Sequence, residues 1–477
     1  MALQIPILRL GEPYRSLDQS PVMPIGGGPP LAQLSLANPG LISRDLRRVG
    51  AAAERLRELS CRRLIEICAE AAERFANDSL PIGLDGQQSP DDYLHCLAQS
   101  SGLPHVMGRA NIGKVHKVLA EMEAVLDGLT RGLPPELLDQ GSGSVQGRLL
   151  AYRCASDALA VVLPSNSPGV NSIWLPSIAL RVPVLLKPGR EEPWTPWRIM
   201  QALIAAGCPR EAFGFYPTSH EGAALMLRRC DRGIVFGSAK TTAPYRDDPR
   251  VEIHGPGWSK LLIGEDRIDR WESLLDVLTS SVAANGGRSC INASCIVVPR
   301  HAEAIAAALA ERLASFAPRP PDDPAACLPA FANPTVAEAI DATIERGISS
   351  GAVDLCAPLR GGPRRVELDG ASYLRPTVIR CAPDHALANT EYLFPFVSVV
   401  EMSNQAAFDW LGPTLVLSLV SEDQGLIQRA LAQPEIQRLN VGPQPTTRVE
   451  WDQPHEGNLF EHLYRRRAFQ ALSWDAS

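Results

Sequence analysis

Long apolar runs are missing from this chain: none reaches the roughly 18–20 residues a bilayer-spanning helix needs. Positive charge is also scarce. Asp and Glu outnumber Lys and Arg by 53 to 46, for a net charge of −7, which argues against a dedicated nucleic-acid binder. The pairs and triplets Arg364-Arg365 and Arg465-Arg466-Arg467 are too short to form a basic stripe, and the triplet reads as a solvated face. Paired cysteines are missing too. The eleven cysteines show no CxxC and no neighbouring His pattern, and an odd count excludes a fully paired disulfide framework. That usage suits reduced thiols in a cytoplasmic protein and argues against structural zinc, so no metal is expected. The first eight residues are apolar, but Pro6 interrupts them and no basic region precedes them, so they do not read as a secretory signal.

What is present is enough chain, 477 residues and 45% apolar, for two or three domains around large cores. Residues 1–45 are rich in Pro and Gly and read as an extended arm. Helical spacing of apolar residues among Arg and Glu predicts helices at 46–75, 91–97 and 115–129. From about residue 149 short apolar strands at 158–163, 182–186, 213–216 and 233–236 alternate with helical segments. That pattern predicts a doubly wound parallel α/β sheet, whose ligands sit beyond the carboxyl ends of its strands. A second α/β unit follows. The expected division is an arm at 1–45, a nucleotide-binding domain at 46–262, a catalytic domain at 263–440 and a tail at 441–477.

One segment stands out chemically: Asn285-Gly286-Gly287-Arg288-Ser289-Cys290, followed by the apolar strand that starts at Cys295. Glycines let backbone approach a ligand closely, and a thiol offered there can act as a covalent nucleophile if its pKa is lowered. On this segment alone, a buried thiol acting as a small hydrophobe is the commoner role. Four more segments share its character. Leu163-Pro164-Ser165-Asn166-Ser167-Pro168-Gly169 puts an amide donor just past a strand, where it can steady an oxyanion or simply shape a turn. Leu185-Leu186-Lys187-Pro188-Gly189 ends the next strand in a cation. Val235-Phe236-Gly237-Ser238 offers a glycine for close approach and a helix-capping serine. Glu391-Tyr392-Leu393-Phe394-Pro395 precedes a further strand.

In that order these five segments resemble the aldehyde dehydrogenase superfamily, over roughly residues 40–440. The resemblance implies that Cys290 is the nucleophile and Asn166 the oxyanion donor. It also implies that Lys187, Gly237, Ser238, Phe394 and Glu391 contact a nicotinamide dinucleotide. Arg190 stands where the family often has a ribose-gripping Glu, which leans the cofactor to NADP with NAD as the alternative. Dimers or tetramers are implied as well, with 148–154 and the tail as candidate arms. The family's water-activating Glu lies in Glu-Leu-Gly-Gly; here the stretch is Glu252-Ile253-His254-Gly255-Pro256-Gly257. An ungapped fit puts His254 in the base position, and a gap restores Glu252. Water needs a base to attack an acyl-cysteine, whereas coenzyme A needs much less help. The expected activity is therefore the NAD(P)H-dependent reduction of an acyl-CoA to an aldehyde, or its reverse, close to the acyl-CoA reductase branch, with coenzyme A as substrate. A hydrolytic aldehyde dehydrogenase and a non-catalytic member that binds nucleotide or a partner chain are the alternatives.

Overall fold

The computed structural model describes residues 3–454 and 456–471; the last six residues of the expected tail lie outside the described residues. The strands Leu159–Val162, Val184–Lys187 and Arg232–Phe236 carry almost no polar side chains and are nearly fully buried. Only a sheet covered on both faces accommodates such strands. They form the centre of a seven-stranded sheet in the order Val251–His254, Arg232–Phe236, Leu159–Val162, Val184–Lys187, Phe213–Phe215, Ile7–Arg9, Glu12–Tyr14. The first five run parallel, and the last two add antiparallel. The expected N-terminal arm is thus strand, and its Ile7 and Leu8 are buried against this sheet. The chain runs outward from Leu159–Val162 in one direction and then returns to place Arg232–Phe236 on its other side. That reversal is the switch point at which such sheets bind ligands, and the Asn166 turn and Gly237 both emerge there.

A second seven-stranded sheet has the order Val353–Asp354, Thr377–Arg380, Phe396–Glu401, Cys295–Val298, Lys260–Ile263, Thr414–Val420, Ile436–Val441. All of it is parallel except the Val353–Asp354 edge. The chain crosses between sheets after His254 and before Lys260, a few residues ahead of the expected 262/263 boundary. Tyr464–Arg467 pairs antiparallel with Arg148–Cys154, which pairs in turn with Ser142–Val145. The two stretches named as candidate arms therefore lie side by side in one three-stranded sheet. Among the described residues, no helix is long and apolar enough to cross a membrane.

The predicted helix at 46–75 divides into Val49–Arg57 and Cys61–Asn77, because the Ser60 side chain accepts from the Arg63 N–H and starts a new helix. Cys61–Asn77 packs against His105–Ala120 and Trp194–Ala205, joining the helical layer to the first sheet. Arg198 locks that joint. It is 1% exposed and donates to the carbonyls of Phe75 (2.9 Å), Gln88 (2.8 Å) and Asp78 (2.7 Å). Replacing it leaves three carbonyls without their donor, two of them buried with it. Arg198→Met is expected to lower the unfolding free energy by about 3–5 kcal/mol, read as a lower urea midpoint. An unchanged midpoint would contradict this account of the joint.

Candidate active site

The site is built where two loops from different sheets are tied together. Asn166 follows the strand Leu159–Val162, and its side-chain N–H donates to the Arg288 carbonyl at 2.8 Å. Asn285 sits at φ +53°, a left-handed conformation that Asn tolerates better than most residues. Its amide donates to Ser167 Oγ (3.2 Å) and Ser289 Oγ (3.3 Å) and accepts from Asn111 Nδ2 (2.9 Å). Asn111 Oδ1 takes the Gly169 N–H at 3.1 Å. Gly287 has φ +72°, and a side chain there would run into the Phe394 carbonyl group at 2.4 Å. On the other side, a Cβ at Gly257 would stand 2.0 Å from the Cys290 carbonyl oxygen, which also accepts from Ser259 Oγ at 2.8 Å. Both glycines are required by close approach.

Cys290 is half-buried and borders a cavity of about 620 Å³ together with Asn166, Gly237, Ser238, His254 and Glu391. That volume suits a small-molecule or cofactor site. Burial pushes the Cys290 thiol well above the ordinary range; the charges of Glu456 and Glu391 push the same way, while Lys114 opposes them. Glu391 borders the same cavity, its carboxylate taking the Trp258 N–H at 2.7 Å. Burial raises its pKa to about 7 in spite of that bond. Trp258 itself holds a positive φ of 43°, fixed by Glu391 on its N–H and by Lys260 Nζ on its carbonyl at 2.8 Å.

His254 lies between two carboxylates, with Nε2 3.2 Å from Glu252 and Nδ1 2.9 Å from Glu456. Burial works against its charge, but the two carboxylates prevail and raise its pKa to about 10. The ring is therefore an imidazolium at neutral pH, with no free nitrogen to take a proton from the cavity. Glu252, the alternative for the base position, turns away. It borders a separate cavity of about 40 Å³ with Glu456, Trp451 and Gly457. Phe236, where the family's similar segment Phe-Thr-Gly-Ser has its Thr, stacks on the His254 ring with centroids 4.7 Å apart.

On the nucleotide side Gly237 and Ser238 border the large cavity, and Ser238 caps the turn Ala239–Thr242. A cavity of this size at the switch point of the first sheet has room for a nicotinamide dinucleotide, and a side chain at Gly237 would run into Thr241 at 2.9 Å. Lys187 ends its strand half-buried; burial lowers its pKa against the charge of Glu191. Two expectations shift here. Arg190 points to solvent, and it is Glu191 that borders the cavity. Phe394 is core, 2% exposed, whereas Tyr392 and Leu393 border the cavity. The family's similar segment is Glu-x-Phe-Gly-Pro; counted back from Pro395, Leu393 rather than Phe394 falls in its Phe position and Glu391 in its Glu position.

Lys114, Glu456, Asn111 and Asn285 were not anticipated in these roles. Asn111 and Lys114 lie three apart on one face of His105–Ala120, and both crowd Gly169, within 3.1–3.2 Å of where its Cβ would be. The bare Gly169 after the Asn166 turn was the available signal.

A switch-point crevice that faces a loop-borne thiol from a second α/β unit defines a two-domain, dinucleotide-binding class of fold. The chain belongs to the aldehyde dehydrogenase family, whose profile matches residues 88–454. It is 27% identical over 289 residues, 56% of this chain and 57% of the relative, to N-succinylglutamate 5-semialdehyde dehydrogenase of Vibrio cholerae serotype O1. It is 26% identical over 270 residues, 53% of this chain and 54% of the relative, to 2-hydroxymuconic semialdehyde dehydrogenase of Pseudomonas sp. strain CF600. The match thus spans little more than half the length of these curated relatives. Among solved structures, the aldehyde dehydrogenase KauB from Pseudomonas aeruginosa superposes with a TM-score of 0.81 at 17% identity, covering 98% of this chain and 97% of that one. Indole-3-acetaldehyde dehydrogenase complexed with NAD+ gives 0.80 at 16%, covering 98% and 96%. At those identities the likeness is one of fold.

The relatives matched are semialdehyde dehydrogenases and not acyl-CoA reductases. The expected CoA-dependent reduction, with coenzyme A as substrate, is overturned. That expectation rested on the lack of a base, yet the charges of Glu391 and Glu456 bear on the thiol, and His254 stands between Glu456 and Glu252.

A raised thiol pKa keeps Cys290 mainly neutral at pH 7–9 in the cofactor-free protein. Its alkylation by iodoacetamide, followed by peptide mass, is expected to rise about tenfold per pH unit across that range. Lys114→Met should slow it further. A plateau below pH 8 would contradict the field described here.

Proposed function

We propose that the protein oxidises an aldehyde to a carboxylic acid with a nicotinamide dinucleotide, through a thioester on Cys290 that water hydrolyses. The observation that carries this reading is the convergence of Cys290, Asn166, Gly237-Ser238 and Glu391 on one cavity. The Cys290 thiolate adds to the aldehyde carbon. The second N–H of the Asn166 amide, the one not given to Arg288, and the Cys290 backbone N–H steady the oxyanion, a type of contact worth about 3–4 kcal/mol of barrier per donor. The nicotinamide, when bound, supplies the hydride acceptor. Gly237, Ser238, Lys187 and Glu391 hold the dinucleotide, and Leu393 packs beside it. Water then releases the acid and returns the thiolate. The names of the matched relatives support an aldehyde that also carries a carboxylate, a semialdehyde.

NAD is the preferred cofactor in this reading. Glu191 rather than Arg190 faces the cavity, and a carboxylate accepts from a ribose 2′-hydroxyl but repels a 2′-phosphate.

With a semialdehyde and NAD but no coenzyme A, the enzyme is expected to form acid and NADH in equal amounts. Cys290→Ala should abolish turnover and leave nucleotide binding intact; NADH formation that requires added coenzyme A would contradict the reading. The kcat/KM for NAD should exceed that for NADP by about tenfold or more, about 1.4 kcal/mol, and Glu191→Gln should narrow the gap. A preference for NADP would remove Glu191 from its assigned role.

A further inference from the structure

Met107, Asn111 and Lys114 fall on one face of the helix His105–Ala120, and that face runs along the two loops that form the site. Met107 comes first, its Cε 3.2 Å from where a Cβ would stand on Gly286. Asn111 donates to Asn285 and accepts from the Gly169 N–H. Lys114 comes last, with Cδ and Nζ each 3.2 Å from the Cβ position of Gly169. On either side of Gly169 in sequence, Asn166 and Val170 both border the large cavity. We propose that Lys114 is a specificity-determining residue, whose ammonium pairs with a carboxylate carried by the substrate at the end opposite the aldehyde that Cys290 attacks. This rests on the hydrolytic reading above and names the group that would select a semialdehyde.

Three observations carry it. First, hydrogen bonds place this face of the helix at the reacting loops. Asn111, one turn before Lys114, donates to Asn285 at 2.9 Å, and Asn285 donates at 3.3 Å to Ser289, the neighbour of Cys290. Second, the half-buried ammonium of Lys114 lacks an acceptor. The buried Lys260 gives its ammonium to the carbonyls of Trp258 and Pro413 and to the Thr414 hydroxyl. Among the described residues Lys114 donates to no group and meets no carboxylate at ion-pair distance. It lies 6.0 Å from the centre of the Trp451 ring, at the outer limit for a cation over an aromatic face. Third, packing across Gly169 positions the side chain before any substrate arrives, which lowers the ordering cost of binding.

A carboxylate is the partner such a site takes best. A hydrogen bond from an ammonium to a carboxylate is about twice as strong as one between neutral groups. A neutral aldehyde of the same length offers no comparable acceptor and leaves the ammonium as it found it. An aldehyde that ends in an amine meets a like charge and is repelled. The substrate class is therefore an ω-oxo carboxylate, with one end read by the thiol and the other by Lys114.

The test compares 4-oxobutanoate, 5-oxopentanoate and 6-oxohexanoate with their methyl esters, using NAD and no coenzyme A. No turnover of any acid or ester by the wild-type enzyme would sink the hydrolytic reading itself. For the acid used best, kcat/KM should exceed that of its ester by about tenfold or more. Lys114→Met should bring that ratio close to one, and Lys114→Arg should keep most of it. An influence of Lys114 on the thiol acts on acid and ester alike and cancels in the ratio. Esters used as well as acids by the wild-type enzyme, or an unchanged ratio in Lys114→Met, would overturn the assignment and leave the hydrolytic reading standing. A second measurement needs neither a variant nor turnover. At matched ionic strength, pentanoate should slow the alkylation of Cys290 by iodoacetamide in the cofactor-free wild-type protein, and pentanamide should not. Equal protection by the two, or none by either, would count against Lys114 as the carboxylate's partner.

Discussion

Everything in the site depends on one bond between loops 122 residues apart in sequence, from the Asn166 side chain to the Arg288 carbonyl. It holds the Asn166 turn of the first sheet, the proposed oxyanion donor, against the loop that presents the thiol ahead of the second. Alone it would be a weak hinge, since a single hydrogen bond contributes about 1 kcal/mol net. It is backed by Asn285 and Asn111, which tie the same two loops to a helix of the N-terminal layer. Arg288 adds a second anchor, donating to Ser101 at 2.6 Å and to the Ala330 carbonyl. Burial makes this network costly to break, because each amide removed strands a partner.

The departures from the family pattern explain one another. A histidine in the base position is a buried cation and needs compensation; Glu252 and Glu456 supply it. The phenylalanine at 236 closes the face of that ring. Taken singly, each change looks like the decay of a catalytic feature. Together they form a packed, charge-compensated unit beside the thiol, which speaks for a rebuilt site over a degenerate one.

Much of the fold was legible because its signals are local. Strands such as Val184–Lys187 are continuous apolar runs, and the positions of Asn166, Lys187, Gly237 and Cys290 follow from strand ends. What was not legible depends on register or on distant chain. Phe394 was read into the cavity because aromatic identity was matched ahead of spacing to Pro395. Arg190 was preferred to Glu191 by position, although the turn after Lys187 faces the second of them inward. Glu456 lies 166 residues beyond Cys290, and only tertiary packing brings its charge to bear there. The coenzyme A expectation came from reading one segment for a carboxylate, whereas the carboxylates whose charges bear on the thiol, Glu391 and Glu456, lie on other segments.

The central claim is that Cys290 forms a thioester that water resolves. The most direct measurement is the mass of the enzyme quenched at successive times after mixing with semialdehyde and NAD in the absence of coenzyme A. The account predicts an acyl mass on the peptide carrying Cys290 that appears within the first turnover and decays at the steady-state rate as acid is released. An enzyme that turns over with no adduct on Cys290, or an adduct that persists until a thiol is added, would contradict it.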